Sequence, residues 1–217
     1  MTTPLQRVGT VLMMALLLAA GAAWAGEQGE GQCQFPGDGV AGPALRYRAE
    51  SDGTVIDLNT GLVWEVKDSG SRIHGVNRPF TWSSSGTAPD GTAFTVFLDT
   101  LNNKCDGDET TPCTRNSNCR HIGNGKCGYA GHRDWRMPNV KELQSIVDYG
   151  LFQPAIDPIF GPTRPPDVPG PNYWSSTTFA QHQAFALFVN FDTGYVSSEC
   201  KLYALLVRAV RDTPCQR

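Results

Sequence analysis

The chain has 217 residues, with 18 Lys and Arg against 21 Asp and Glu, a net charge of −3 and 7 cysteines. That acidity excludes a non-specific nucleic-acid binder, which needs clustered cations to displace counterions from phosphate. With 23 Gly and 15 Pro, turns are too frequent for a helical bundle.

Residues 1–25 read as a secretory signal: Arg7, the apolar run 11–20, then Ala23-Trp24-Ala25 as a cleavage pattern. The run is short for a bilayer span and nothing later is longer, so no membrane span is expected after cleavage. No Cys directly follows the cleavage site to carry a lipid anchor. An exported protein is expected: periplasmic, secreted or at the cell surface. Residues 26–44 are Gly-rich and read as a flexible leader. Its Gly37-x-Gly39-x-x-Gly42 matches a dinucleotide fingerprint by letter alone, since no strand precedes it and Pro43 follows.

The segments 45–47, 54–57 and 61–66, punctuated by Asp52-Gly53 and Asn59-Thr60-Gly61, predict a meander of short strands. Phe94, Phe97, Leu98 and Leu101 fall at i, i+3, i+4 and i+7 and predict a helix over 92–102 with those side chains in the core. An insertion follows at 103–128, carrying Cys105, Cys113, Cys119 and Cys127 as C-x7-C-x5-C-x7-C, with Ile122 its one large apolar residue. Such a stretch cannot bury a core, so cross-links must order it. The spacing lacks the close cysteine pairs of zinc sites, so two local disulfides are expected, with their pairing open. Cys33 precedes the first strand and Cys215 follows the last, which favours Cys33–Cys215 over Cys33–Cys200. One thiol is left over, either buried and inert or available to a second chain.

Within the insertion, Asp106-Gly107-Asp108-Glu109 opens like a calcium loop. Thr111 and Ser117 stand where an EF-hand needs Gly and Glu, so a tied, solvated turn is preferred to a looser calcium site at Asp106, Asp108 and Glu109. No other metal and no cofactor is expected. His74, His121, His132 and His182 lie in no metal spacing, and neither G-x-S-x-G nor S-x-x-K occurs. No catalytic residue is assigned.

Gly131-His132-Arg133-Asp134-Trp135-Arg136-Met137-Pro138 is the densest motif. Asp134 between arginines, beside Trp135, suits an ion-pair network that locks a turn, with Arg208 and Arg211 of the last strand available to join. Asn139 and Glu142 form a capping box for a helix whose stripe is Val140, Leu143, Ile146 and Val147, with Gly150 at its C-terminal cap. Residues 154–171 hold 7 prolines and predict a stiff, exposed loop. Tyr173, Trp174, Ser175 and Ser176 end that loop. Aromatic rings beside hydroxyls suit either a sugar-binding surface or a buried strand start. The segments 184–191, 195–198 and 203–211 close the chain as antiparallel strands, giving an α+β fold with two helices on an antiparallel sheet.

DGTVIDLNTGLVWEV (52–66), AGHRDWRMPNVKELQSIVD (130–148), YWSSTT (173–178), the F-x-x-G turn at 191–194 and VRAVR (207–211) together resemble the Lcl C-terminal domain family. The resemblance covers 45–212, leaving 213–217 as a tail. It implies a C-type-lectin-like fold, loop-rich and disulfide-stabilised, with the termini close together. Such closeness fits a Cys33–Cys215 bridge. The segment Arg136-Met137-Pro138-x-x-x-Glu142 is also similar to one in formylglycine-generating enzymes. The best-known function in the family that the chain resembles is adhesion, by a trimeric domain at the end of a collagen-like stalk that binds sulfated glycosaminoglycans. This chain has no Gly-X-Y stalk, is acidic, carries the extra four-cysteine insertion, and lacks the E-P-N, Q-P-D and W-N-D triplets of calcium-dependent lectins.

The expected function is therefore a non-enzymatic, exported binding or adhesion domain that recognises a glycan or a surface protein, with oligomers allowed. The alternatives are a structural envelope or appendage component and, further off, a formylglycine-generating-type oxidase. Nucleic acid is not an expected partner.

Overall fold

Asn59-Thr60-Gly61 reverses the chain between two strands whose side chains are almost all buried, with Gly61 in the left-handed region at φ 70°. The computed structural model describes residues 46–164 and 170–213. Its strands are β1 (Tyr47–Ala49), β2 (Thr54–Asp57), β3 (Leu62–Glu65), β4 (Phe80–Thr81), β5 (Asn172–Thr178), β6 (Phe185–Asn190), β7 (Val196–Cys200), β8 (Ala204–Leu205) and β9 (Val210–Asp212). A helical segment, Ala93–Leu98, is wound with wide π-type turns and runs into helix α1, Asp99–Asn103. Helix α2 is Val140–Ser145. The α+β class and the opening meander agree with the sequence pattern.

The strands form three antiparallel sheets where one was expected: β1-β2-β3-β9, β5-β6-β7 and the pair β4-β8. The last strand returns to the first meander, with Leu62 opposite Asp212 and Trp64 opposite Val210. The closing segment expected over 203–211 is split between β8 and β9, so it serves two sheets. Cys33 and Cys215 lie outside the described residues, and so does the bridge expected between them.

Helix α2 starts as its capping box requires. Asn139 Oδ1 accepts the Glu142 amide at 2.9 Å, and Glu142 Oε2 accepts the Asn139 amide at 2.7 Å. It ends earlier than expected, at Ser145, and Gly150 does not cap it. Gly150 instead donates its amide to Asp148 Oδ1 in the loop beyond. The proline-rich stretch is also less exposed than expected, because Ala155, Ile156 and Phe160 are buried. Proline forbids regular pairing but does not prevent burial of the apolar residues between the prolines.

Two apolar clusters make the core. Phe80, Trp82, Phe97, Leu101, Trp135 and Trp174 belong to one, and Trp64, Leu143, Ile156, Phe160, Tyr173 and Phe191 to the other. Consecutive residues of a strand point to opposite faces, so β5 feeds both, Tyr173 into one and Trp174 into the other.

Two carboxylates are fully buried, Asp57 against Arg46 and Glu65 beside this core. Glu65 is fully buried; its Oε1 accepts Lys67 Nζ at 2.9 Å and meets His74 Nδ1 at 2.8 Å, while Oε2 accepts the Ala209 amide at 2.9 Å. Burial works to raise the Glu65 pKa, but the Lys67 charge and the His74 hydrogen bond override it and hold the group down at about 2. The same desolvation pushes Lys67 below the usual lysine range, with attraction to Glu65 opposing it.

The insertion is tied by Cys105–Cys119 and Cys113–Cys127, and all four cysteines are buried with Ile122 against them. Glu109 fastens it to the body, accepting the Ile73 amide at 2.7 Å and Arg78 Nη1 at 2.6 Å.

Candidate functional site

Tyr173, Trp174 and Ser175 are fully buried, and only Ser176 of that quartet is exposed. Tyr173 donates its hydroxyl to the Thr163 carbonyl at 2.8 Å, and burial pushes its phenol up to about 12. The Trp174 indole donates to the Phe80 carbonyl at 3.0 Å, and Ser175 Oγ to the Leu187 carbonyl at 2.7 Å. Both rings are committed to the core and cannot stack on a ligand. Of the two readings open to this segment, the buried strand start is the one realised.

The arginine-rich motif divides into two ion-pair groups. Arg211 Nε and Nη2 hold Asp134 at 2.8 and 3.2 Å, while Arg136 holds Glu142 through two bonds of 2.8 Å and reaches Asp212 at 3.3 Å. Arg211 and its hydrogen bonds keep the Asp134 carboxyl below its ordinary pKa against the pull of burial, and Arg136 does the same for Glu142. Trp135 is buried and donates Nε1 to the Tyr129 carbonyl. Arg208 does not join. It lies fully buried with Nη1 on the Glu65 and Phe160 carbonyls, its guanidinium beside the Phe160 and Tyr173 rings. These are joints between β9, the turn before α2 and the core.

The carboxylates named for calcium do not converge. Asp108 accepts from Thr110 and Thr111, Glu109 from Arg78 and Ile73, and Asp106 from Asn124. Among the described residues the one set of close potential metal ligands is Cys105, Cys113 and Cys119, whose sulfurs are in disulfides. Cys200, half-buried, is the free cysteine among them.

A different surface stands out. After α2 the chain makes a loop over 148–155, closed on itself by Asp148 N–H to the Ala155 carbonyl at 3.0 Å. Two more backbone bonds clamp it to the β6–β7 turn: Gln153 N–H to Asp192 O at 3.0 Å and Ala155 N–H to Phe191 O at 2.7 Å. Buried Ala155 and Ile156 anchor its far end. The clamp leaves Tyr149 and Phe152 each 71% exposed, with Leu151 beside them and Tyr195 on the facing turn at 49%. Tyr149 donates its hydroxyl to the Gly194 carbonyl at 3.1 Å, and its ring occupies the space a Gly194 side chain would need. A Cβ there would lie 2.6 Å from Tyr149 Cε1 and from Val147 Cγ1. Asn190 Oδ1 holds the turn by accepting the amides of Asp192 and Thr193. Arg164 meets Asp192 at the edge of this surface, at 3.3 Å.

Two aromatic rings and a leucine are thus held in solvent by a backbone that is itself hydrogen-bonded, whereas Tyr195 turns onto Phe188, their ring centres 6.0 Å apart. Exposed apolar groups gathered this way mark interaction surfaces more often than a lone exposed leucine does. The sequence carried one sign of it, the run Tyr149-Gly150-Leu151-Phe152, which lies outside the helical stripe before it.

The family model of the Lcl C-terminal domain matches residues 53–211, from the turn before β2 into β9. The chain belongs to this family. No curated protein matches the chain. The paired cysteines fit an oxidising compartment, and no helix among the described residues is long and apolar enough to cross a membrane.

Proposed function

We propose that the chain is an exported, non-enzymatic recognition domain with a lectin-like arrangement, whose contact surface is the aromatic platform of Tyr149 and Phe152 with Leu151. The observation that carries this is the clamped 148–155 loop, which presents large rings without letting them collapse onto the core. Rings fixed in this way stack on the apolar face of a sugar at little entropic cost. The half-buried Asp148 carboxylate beside them, whose Oδ1 takes the Gly150 amide, offers its second oxygen as an acceptor for a hydroxyl group. A glycan on a cell surface or in the extracellular matrix is the ligand class that matches both features.

The test is a glycan-array screen of residues 26–217, with and without calcium and again at high salt, run beside Phe152→Ser and Leu151→Ser. Wild type should bind a saccharide and the two variants should lose it while melting within about 0.5 kcal/mol of wild type, as exposed substitutions do. A blank array from folded protein would sink the glycan reading.

A second reading, a structural envelope or appendage component, draws on the free half-buried Cys200. A covalent dimer on a non-reducing gel, abolished by Cys200→Ser, would favour it. An oxidase of the formylglycine-generating type needs a reduced cysteine pair and finds no support among the described residues.

A further inference from the structure

At the opposite end of the β5-β6-β7 sheet from the aromatic platform, a cleft of about 360 Å³ is lined by Thr87, Thr178, Phe179, Ala180, Gln183 and Lys201. Lys201 follows directly on β7 and is 2% exposed. Its ammonium donates to Thr178 Oγ1 at 2.9 Å and to the Thr87 carbonyl at 3.1 Å, and it sits 3.8 Å from the centre of the Trp82 ring. Both acceptors line the cleft, so the charge lies at its wall.

The contrast with Lys67 is instructive. Lys67 is equally buried and has Glu65 as its counter-ion, whereas no carboxylate among the described residues pairs with Lys201. Burial pushes the Lys201 pKa down with no acidic group opposing it. A buried ammonium surrounded only by neutral acceptors and a ring is under-compensated, and an anion brought to it gains more than it would at an open surface. Donors for such an anion are in place. The Thr178 hydroxyl accepts from Lys201, so its own proton is free to point outward. Gln183 is exposed on the rim, and its amide has no internal partner among the described residues. One cation and two neutral donors match a monoanion; a dianion would bring a second charge that nothing in the lining neutralises.

We propose that this cleft binds a small carboxylate, with Lys201 supplying the charge and the Thr178 hydroxyl and Gln183 amide supplying the hydrogen bonds. The site shares no residue with the aromatic platform, so it stands or fails separately from the glycan reading.

The experiment uses full-length mature protein carrying lysine labelled with 13C at Cε, and titrates acetate at constant ionic strength, with chloride and sulfate as the comparison anions. The Lys201 signal is assigned by its disappearance in Lys201→Met, or in Lys201→Arg if the methionine variant does not fold. A saturable shift of that signal with acetate and not with sulfate is expected. Thr178→Val should weaken binding about tenfold, the worth of one hydrogen bond to a charged group. No saturable shift, an equal response to sulfate, or undiminished affinity in both Thr178→Val and Gln183→Ala would overturn the proposal and leave Lys201 as a prop beneath Trp82.

Discussion

The body of the domain and its cysteine insertion reach burial by different means. In the body, two apolar clusters enclose Trp64, Phe97, Tyr173 and Trp174 with no cross-link among the described residues, and even a carboxylate, Glu65, is enclosed because Lys67, His74 and the Ala209 amide meet it. In the insertion the buried atoms are the four cysteines themselves, with only Ile122 packed against them. The body is held by area removed from water, and the insertion by covalent restriction of the unfolded chain. The two should therefore respond differently to the same insult.

The largest separation should come from Glu65. Replacing it with Ala leaves Lys67 buried without its counter-ion and should cost roughly 3–5 kcal/mol in denaturant unfolding, while the insertion keeps its disulfides. A loss under 1 kcal/mol would show that the pair is incidental to the body. The acid profile sharpens the point. An ordinary glutamate titrates near 4.5 and folded Glu65 near 2, so its contribution is complete above about pH 4.5 and is lost as pH falls from there towards 2. Glu65→Gln should flatten the wild-type decline in stability across that window, and an unchanged slope would assign the decline to other carboxylates.

Reducing Cys105–Cys119 and Cys113–Cys127 comes next. Each bridge closes a short loop and should be worth about 2–4 kcal/mol to the order of the insertion. Amide exchange should rise across 105–127 and stay slow in β2, β3 and β6. If β2 and β3 exchange as fast as the insertion, the two regions form a single cooperative unit and the distinction fails. The smallest effect expected is that of Asn139→Ala, which removes the cap of α2 and should lower stability by about 1 kcal/mol, read as a shift in melting temperature.

The parts of this molecule legible in its sequence are those whose partners lie close along the chain. Asn139 and Glu142 are three residues apart, and the turns at Asp52-Gly53 and Asn59-Thr60-Gly61 are local. The insertion was legible because a segment with one large apolar residue and four cysteines has few ways to become ordered. Helix α2 was overrun at its end because Ile146 and Val147 continue the apolar stripe after the helical backbone has stopped, and both still pack against the core.

The candidate site was less legible. Period-two alternation tells that Tyr173 and Trp174 face opposite ways; it does not tell that both faces are covered. That is decided by β6, the Thr163 carbonyl and the Phe80 carbonyl, the last of these 94 residues away in the chain. Nor does the composition of Tyr149-Gly150-Leu151-Phe152 distinguish a buried run from an exposed one. Only the backbone clamp between 148–155 and the β6–β7 turn holds those rings in water.

By itself, then, the sequence determined the α+β class, the meander, the capped helix, the cross-linked insertion and the family, because each is written in short-range pattern or in motifs kept in order. Tertiary structure alone decided that the arginines divide into Asp134–Arg211 and Glu142–Arg136, that Glu65 and Lys201 are buried with and without a counter-ion, and which aromatic residues meet solvent. The physical reason is that burial and charge pairing belong to surfaces brought together from distant stretches of chain, and a residue's identity states only what it would cost to be there.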